Sequence, residues 1–548
     1  MKKRNGKKRG FTLIEVLGVI IVLSVISSIA VVTVDHNIKK GKVTVCSAQE
    51  ANIIESAKSY FVDNPTKANK KVTILTLKNG GYLDKELKNP MTDTFYSEDT
   101  YVFSDNGEYK ITYVDEVDCN GENGKTIDEI IANQPVIKSW AYNADTDFHA
   151  SEYRENITHA IFEDSINIPA GAISWDISAS NGSGLVKSWV VTDPEDSTKY
   201  ILHIGGENGV LANKNSSYLF YGFTNLKQID FNDNFDTSQV TKMFSMFSGC
   251  TSLTSLNLSG FDTSNVIEMY SMFYNCSSLK SVNLSSFNTS QVTSFAQLFN
   301  GCTNLTDLDL SNFDTSNVKS LNYTFNNCKS LKSIEFGKNW NTNKVTNMYR
   351  TFGGCESIIS LDISGFDTSN VTSMQEMFCN CKSLKTLDLR GFDTSNVTTM
   401  HHMFHHCESL TNILFGEGWA HNKLTSMSNM FADCKSLTTL DLSNINTSSV
   451  KSMEQMFQSC TNLTILDLTG WDTSNVTNIF QMFYLCPKLR TIYASDTFVV
   501  NASSGSNMFT GDTNLVGGNG TTYDSSQVGK TYARIDAAST PGYFTKKA

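Results

Sequence analysis

The chain has 548 residues, a length that predicts more than one domain. Hydrophobic residues make up 40% and charged residues 18%, which excludes a disordered chain, while seven prolines and scattered glycines exclude collagen-like or proline-rich architecture. The formal charge is −11 although the first ten residues hold six positive charges and no acid, so the body is more acidic still, which argues against phosphate-backbone binding as its main task while leaving room for local basic patches.

Residues 1–10 form a basic stretch ending in Gly10. Residues 11–34 are apolar apart from Glu15 and a few small hydroxyl residues. At ~1.5 Å per residue such a helix is long enough to cross a bilayer core of about 30 Å, with the basic flank on the cytoplasmic side. A carboxylate in that segment costs roughly 2.5–3.5 kcal/mol on insertion scales, so something must offset it. Gly10-Phe11-Thr12-Leu13-Ile14-Glu15 resembles the processing site of type IV prepilins and pseudopilins. The resemblance implies cleavage between Gly10 and Phe11 by a prepilin peptidase and N-methylation of Phe11. It also implies that Glu15 neutralises the N-terminal ammonium of a neighbouring pilin subunit during filament assembly, and two buried opposite charges do cost less together than either alone. An ordinary secretory signal with Ser28-Ile29-Ala30 as its cleavage site is the alternative; the internal charge and the strongly basic leader count against it.

Residues 36–63 continue with helical spacing of Val43, Ala48, Ala51, Ile54, Ala57 and Phe61, and Pro65 comes next as a terminator. A small β head is predicted next, with strand-like runs at Thr100–Ser104 and Glu108–Val114 around an Asp105-Asn106-Gly107 turn. Cys46 and Cys119 are the only cysteines outside the repeats, and an extracytoplasmic disulfide between them is one reading. Residues 120–134 read as a polar linker. Strands are expected at Ile173–Ile177, Val186–Val191 and Tyr200–Ile204, in a β-rich lead-in that covers the open end of the repeats.

From Phe235 a 26- or 27-residue period is plain. Ten copies begin at Phe235, Phe261, Phe287, Phe313, Trp340, Phe366, Phe392, Trp419, Ile445 and Trp471. Within one copy, Val371, Met374, Met377 and Phe378 have helical spacing, with Ser369 or Asn370 as a cap, and Leu387 and Leu389 alternate as in a strand. Leu384-x-x-Leu387-x-Leu389 is a leucine-rich-repeat signature. Cys250, Cys276, Cys302, Cys328, Cys355, Cys381, Cys407, Cys434, Cys460 and Cys486 fall on one column and read as small buried fillers; Phe223 and Asp512 hold that position in degenerate end coils. The unit resembles the BspA-like leucine-rich-repeat surface proteins, many of which are bacterial adhesins or surface lipoproteins, and the tail from Leu515 to Phe544 resembles that family's C-terminal cap. No lipoprotein cysteine stands near the start, and the pilin-like anchor takes that place.

The predicted fold class is therefore α+β: a long pilin-type helix with a small β head, then a leucine-rich-repeat solenoid with a short helix and a short parallel strand per 26-residue coil. The predicted divisions are a leader at 1–10, a transmembrane or filament-core helix at 11–34, an outer helix and head at 35–122, a linker and lead-in cap at 123–215, the solenoid at 216–515 and a cap at 516–548. No cofactor is expected and no metal site is assigned; the one candidate is His401, His402, His405 and His406, two i, i+4 pairs if helical, against which stands their place at variable outward positions. The recurring Asp-Thr-Ser-Asn starts (Asp236, Asp262, Asp314, Asp367, Asp393, Asp472) stack into an acidic ladder that could take calcium, although turn and cap formation explains them without an ion. No nucleophile motif, HExxH or P-loop occurs, so no enzyme activity is expected. The function expected is a bacterial cell-surface adhesin or binding protein, anchored in the cytoplasmic membrane or a pilus-like filament, taking a protein or glycan ligand and no direct nucleic acid. The alternatives are a pseudopilin of a secretion or DNA-uptake machine, and a membrane-anchored repeat protein that never enters a filament.

Overall fold

A computed structural model describes residues 42–547 except 44, 65–70, 98–99, 106–107, 115, 120–122, 125–134, 180–183 and 420–422. The Gly10–Phe11 junction, Glu15 and the apolar segment 11–34 lie outside the described residues. Among the described residues no helix is long and apolar enough to cross a membrane. The chain divides into two compact units, Met1–Gln134 and Pro135–Ala548.

In the first unit a helix over 45–63 buries Cys46, Ile53, Ala57 and Phe61, whose spacing of seven, four and four keeps them on one face; Ala48 and Ala51, expected on that face, are exposed. The face shares a core with a three-stranded antiparallel sheet of Lys71–Thr73, Tyr101–Asp105 and Glu108–Thr112. A short helix, Ile74–Asn79, continues from the first strand, with the Thr73 hydroxyl accepting from the Thr76 N–H at its start. Cys46 and Cys119 are joined as a disulfide.

The second unit opens with a five-stranded sheet in the order Gln228–Asp230, Ile157–Glu163, Tyr200–Gly206, Val186–Thr192, Ile173–Asp176. Ile157–Glu163 pairs in parallel with Gln228–Asp230, which is the strand of the first, degenerate coil, and so covers the edge of the coil stack with a partnered strand. At the other end the chain returns, and Phe544–Lys546 pairs in parallel with the last coil strand, Thr491–Ala494. Between them, coil strands pair in parallel one repeat apart, as in Thr386–Leu389 with Asn412–Phe415.

The expected short helix in each coil is absent from the described coils. Its residues form a series of four-residue turns instead: the amide N–H groups of Val371, Met377, Cys381 and Leu384 donate to the carbonyls three residues back, of Thr368, Met374, Phe378 and Cys381, at 2.9–3.2 Å. The amides between them bond across to the next coil, as Phe378 to Met403 and Asn380 to His405 (2.9 and 2.7 Å). The reason is spacing. Coils bonded to one another like strands lie about 4.8 Å apart, whereas a helix with its side chains is about 10–12 Å across. Glu376 and Asn380 stand in the left-handed region (φ 55° and 60°), and the corresponding residue of every coil does the same, which a helix would not allow. The predicted cap also differs: the Asp367 carboxylate accepts the Ser369 N–H, and Asn370 donates to the Asn343 carbonyl of the preceding coil.

Three ladders hold the coils in register. Phenylalanines from Phe220 to Phe509 stack in one unbroken column, ring centroids 5.2–6.1 Å apart. Each column cysteine is a buried free thiol that donates to the carbonyl of a phenylalanine in the preceding coil, as Cys381 to Phe352 and Cys407 to Phe378 (both 3.2 Å). Burial pushes these thiols up, to about 12 for Cys276 and Cys355. Buried threonines form the third ladder: the Thr368 hydroxyl donates to the Asp393 carbonyl and accepts the Asp393 N–H, both at 2.8 Å.

Candidate binding face

The inward residues of each coil are committed to these ladders, and the positions that vary from coil to coil include those of the turn that carries the Met-x-x-Met-Phe-x-x-Cys pattern. In the coil starting at Phe366 these are Gln375, Glu376, Cys379 and Asn380, of which Glu376 and Cys379 are buried; one coil later they are His401, His402, His405 and His406. The second and fourth positions are held at positive φ throughout, so the backbone of this face is the same from coil to coil while its side chains change.

Its chemistry runs in zones. At the N-terminal end Tyr142, Tyr218, Tyr221, Phe244 and Tyr270 form one aromatic cluster. Tyr142 lies 5.0 Å from Tyr221, Tyr218 lies 5.1 Å from Phe244, and Phe244 stacks on Tyr270 at 4.7 Å. Tyr142 is 59% exposed, so the cluster reaches solvent. In the middle, Arg350 Nε donates to Glu376 Oε2 at 2.6 Å and the Tyr349 hydroxyl to Glu376 Oε1 at 3.1 Å. Burial would raise the Glu376 carboxyl, but the Arg350 hydrogen bond and charge hold it below its usual value.

The four histidines come next, and not on a helix. His402 and His406 stand at φ 56° and 57°, so the i, i+4 pairing expected from the sequence does not occur. The rings instead succeed one another round the turn, His401 to His402 at 3.9 Å, His402 to His405 at 4.5 Å and His405 to His406 at 4.1 Å. Asp433, which no sequence motif singles out, lies against them; it occupies the position of His406 one repeat later, so the repeat register was the signal that could have found it. Burial, then the neighbouring His406 and His402, push His405 down to about 4.

The Asp-Thr-Ser-Asn aspartates are engaged in turns. Asp262, Asp314 and Asp472 each accept the N–H two residues on, at 2.9 Å. Asp309, Asp362, Asp388 and Asp467 do the same beside the strands. At the cysteine position of the last coil, Asp512 Oδ1 accepts the Cys486 N–H at 2.8 Å, while Oδ2 is buried with no partner among the described residues. Burial pushes this carboxyl up to about 9.

A family model described as "Mycoplasma protein of unknown function, DUF285" matches residues 214–336, 333–416 and 412–523, together more than half of the chain. A model described as a prokaryotic N-terminal methylation motif matches residues 5–31, which include Gly10, Phe11 and Glu15. No curated protein matches. Among solved structures, similarity is found to a leucine-rich repeat protein from Bacteroides ovatus (18% identity over 56% of this chain and 75% of that one, TM-score 0.30). A leucine rich cell surface protein from Faecalibacterium prausnitzii (14%, 72% and 95%, 0.30) and a leucine-rich repeat protein from Eubacterium ventriosum (17%, 54% and 90%, 0.27) are also similar. At these TM-scores the fold rests on the coil geometry itself. The chain is a leucine-rich-repeat protein that carries a pilin-type methylation motif.

Proposed function

This chain belongs to the family described as Mycoplasma protein of unknown function, DUF285, and we propose that it is a non-enzymatic binding protein displayed at the bacterial cell surface. The methylation motif implies a prepilin peptidase and pilin subunits in general as partners. In this reading the processed N-terminus, with Glu15, anchors the chain in the cytoplasmic membrane or a pilus-like filament, and the solenoid takes a protein or glycan ligand. The observation that carries it is the aromatic cluster of Tyr142, Tyr218, Tyr221, Phe244 and Tyr270 on a face whose backbone is constant and whose side chains vary. Flat amphipathic rings supply contact area at low entropic cost and suit either ligand class. The residues that recur from coil to coil are engaged in bonds between coils, which fits a scaffold better than a reaction centre.

The purified mature chain should bind a subset of a glycan or surface-protein array. Tyr221→Ser with Tyr270→Ser should lower that binding at least roughly tenfold, since an aromatic hot spot contributes about 2 kcal/mol or more, while Tyr493→Ser on the strand side should leave it unchanged. Equal binding by the double variant would sink the reading. The same motif serves a pseudopilin of a secretion or DNA-uptake machine. Glu15→Ala would disable filament-borne display in both cases and leave a plain membrane-anchored protein on the surface.

A further inference from the structure

At several points the variable columns close by direct hydrogen bonds between coils. Asn326 Nδ2 donates to Asn300 Oδ1 at 2.9 Å, and Gln455 Nε2 to Gln481 Oε1 at 2.9 Å. Around Asp433 the pattern changes. Its Oδ2 is 3.9 Å from His405 Nε2 and 3.8 Å from His406 Nδ1, too far for a hydrogen bond to either ring. The three ligand atoms nonetheless lie within 4.8 Å of one another. Two imidazole nitrogens and a carboxylate oxygen thus lie close together with no hydrogen bond from either ring to the carboxylate.

We propose that His405, His406 and Asp433 form a site for a divalent transition-metal ion of the zinc class on the variable face of the solenoid. Zinc binds histidine nitrogen and carboxylate oxygen at about 2.0–2.2 Å, which sets donor atoms roughly 3.3 Å apart in a tetrahedron. The two histidine–carboxylate separations need to close by about half an ångström and the two ring nitrogens, within 4.8 Å of each other, by at most about 1.5 Å, which side-chain rotation can supply. The ligands are half-buried, with side-chain exposures of 22%, 36% and 16% in the order named, so an ion there would be partly shielded. His405 Nδ1 faces Cys379 Sγ at 3.9 Å, an outer contact that leaves Nε2 turned to the carboxylate. The site spans two coils, so the ion also clips neighbouring repeats together.

The test uses tag-free full-length chain, stripped with chelator and dialysed against micromolar zinc, with metal counted by mass spectrometry. One zinc per chain is expected, with a rise in melting temperature. His406→Asn, which keeps a residue suited to positive φ, and Asp433→Asn should each weaken binding by at least about tenfold, while His401→Asn should not. Far-UV circular dichroism of each variant confirms that it is folded. Cobalt in place of zinc should give the visible spectrum of a tetrahedral nitrogen and oxygen set without a thiolate charge-transfer band. Wild-type chain that binds no zinc, or a folded Asp433→Asn chain that binds it as tightly, overturns the proposal.

Discussion

The cysteines of the two units live under opposite arrangements. In the first, Cys46 and Cys119 close a loop of 73 residues around a small core, by one covalent bond. In the second, ten thiols stand 26 or 27 residues apart and none is cross-linked; each donates to a backbone carbonyl one coil back. A small domain cannot bury enough surface to hold itself, and a covalent link restricts its unfolded chain most when the loop is long. A repeat stack gains its stability from neighbour contacts renewed at every coil, so a link within it would constrain little that the ladders do not already fix.

Replacing Cys46 and Cys119 together by serine should therefore have the largest effect, about 4 kcal/mol from loop closure, confined to the first unit. All six tryptophans lie in the second unit, so their fluorescence transition should not move while hydrogen exchange of residues 42–134 rises; a shift in both would break the contrast. The end of the ladder gives the next effect. Asp512 keeps its proton up to about pH 9 in the folded chain and loses it near 3.8 when unfolded, so its stabilising effect is greatest below 3.8 and falls as pH rises toward 9. Between pH 6 and 8 the last coil should lose about 3 kcal/mol of protection, at about 1.4 kcal/mol per pH unit. Asp512→Cys, the residue of the other rungs, should remove that slope in hydrogen exchange of residues 486–515. Thr368→Val should cost least, about 1–2 kcal/mol, by stranding the N–H and carbonyl of Asp393 without changing shape. Chemical denaturation tracked by tryptophan emission would show it, and no change would mean the threonine ladder only fills space.

The period, the cysteine column and the strand at Leu387 and Leu389 were legible in the sequence because alternation and repetition are local signals. The helix was not, because turns closing every three residues put Val371, Met374 and Met377 inward as a helix would. The distinguishing residues were the small and polar ones at the second and fourth outward positions, such as Ser271, Asn275 and Gly301, which suit positive φ. The phenylalanine stack was hidden for a related reason: spacing marks a residue as inward but not which neighbour it meets. Asp433 needed the same step, from one repeat to the next. Ile157–Glu163 went unmarked because its partner strand lies in the first degenerate coil, where the repeat is faint.

The bonds between coils run along the stacking axis, and that direction has a mechanical consequence. A pull separating the two ends of the solenoid loads them one layer at a time, as in peeling, instead of all together as in shear. Each released coil of 26 residues would lengthen from about 4.8 Å to roughly 88 Å of extended chain. Under tension applied across its two ends the stack would thus yield length coil by coil, dissipating force as it lengthens.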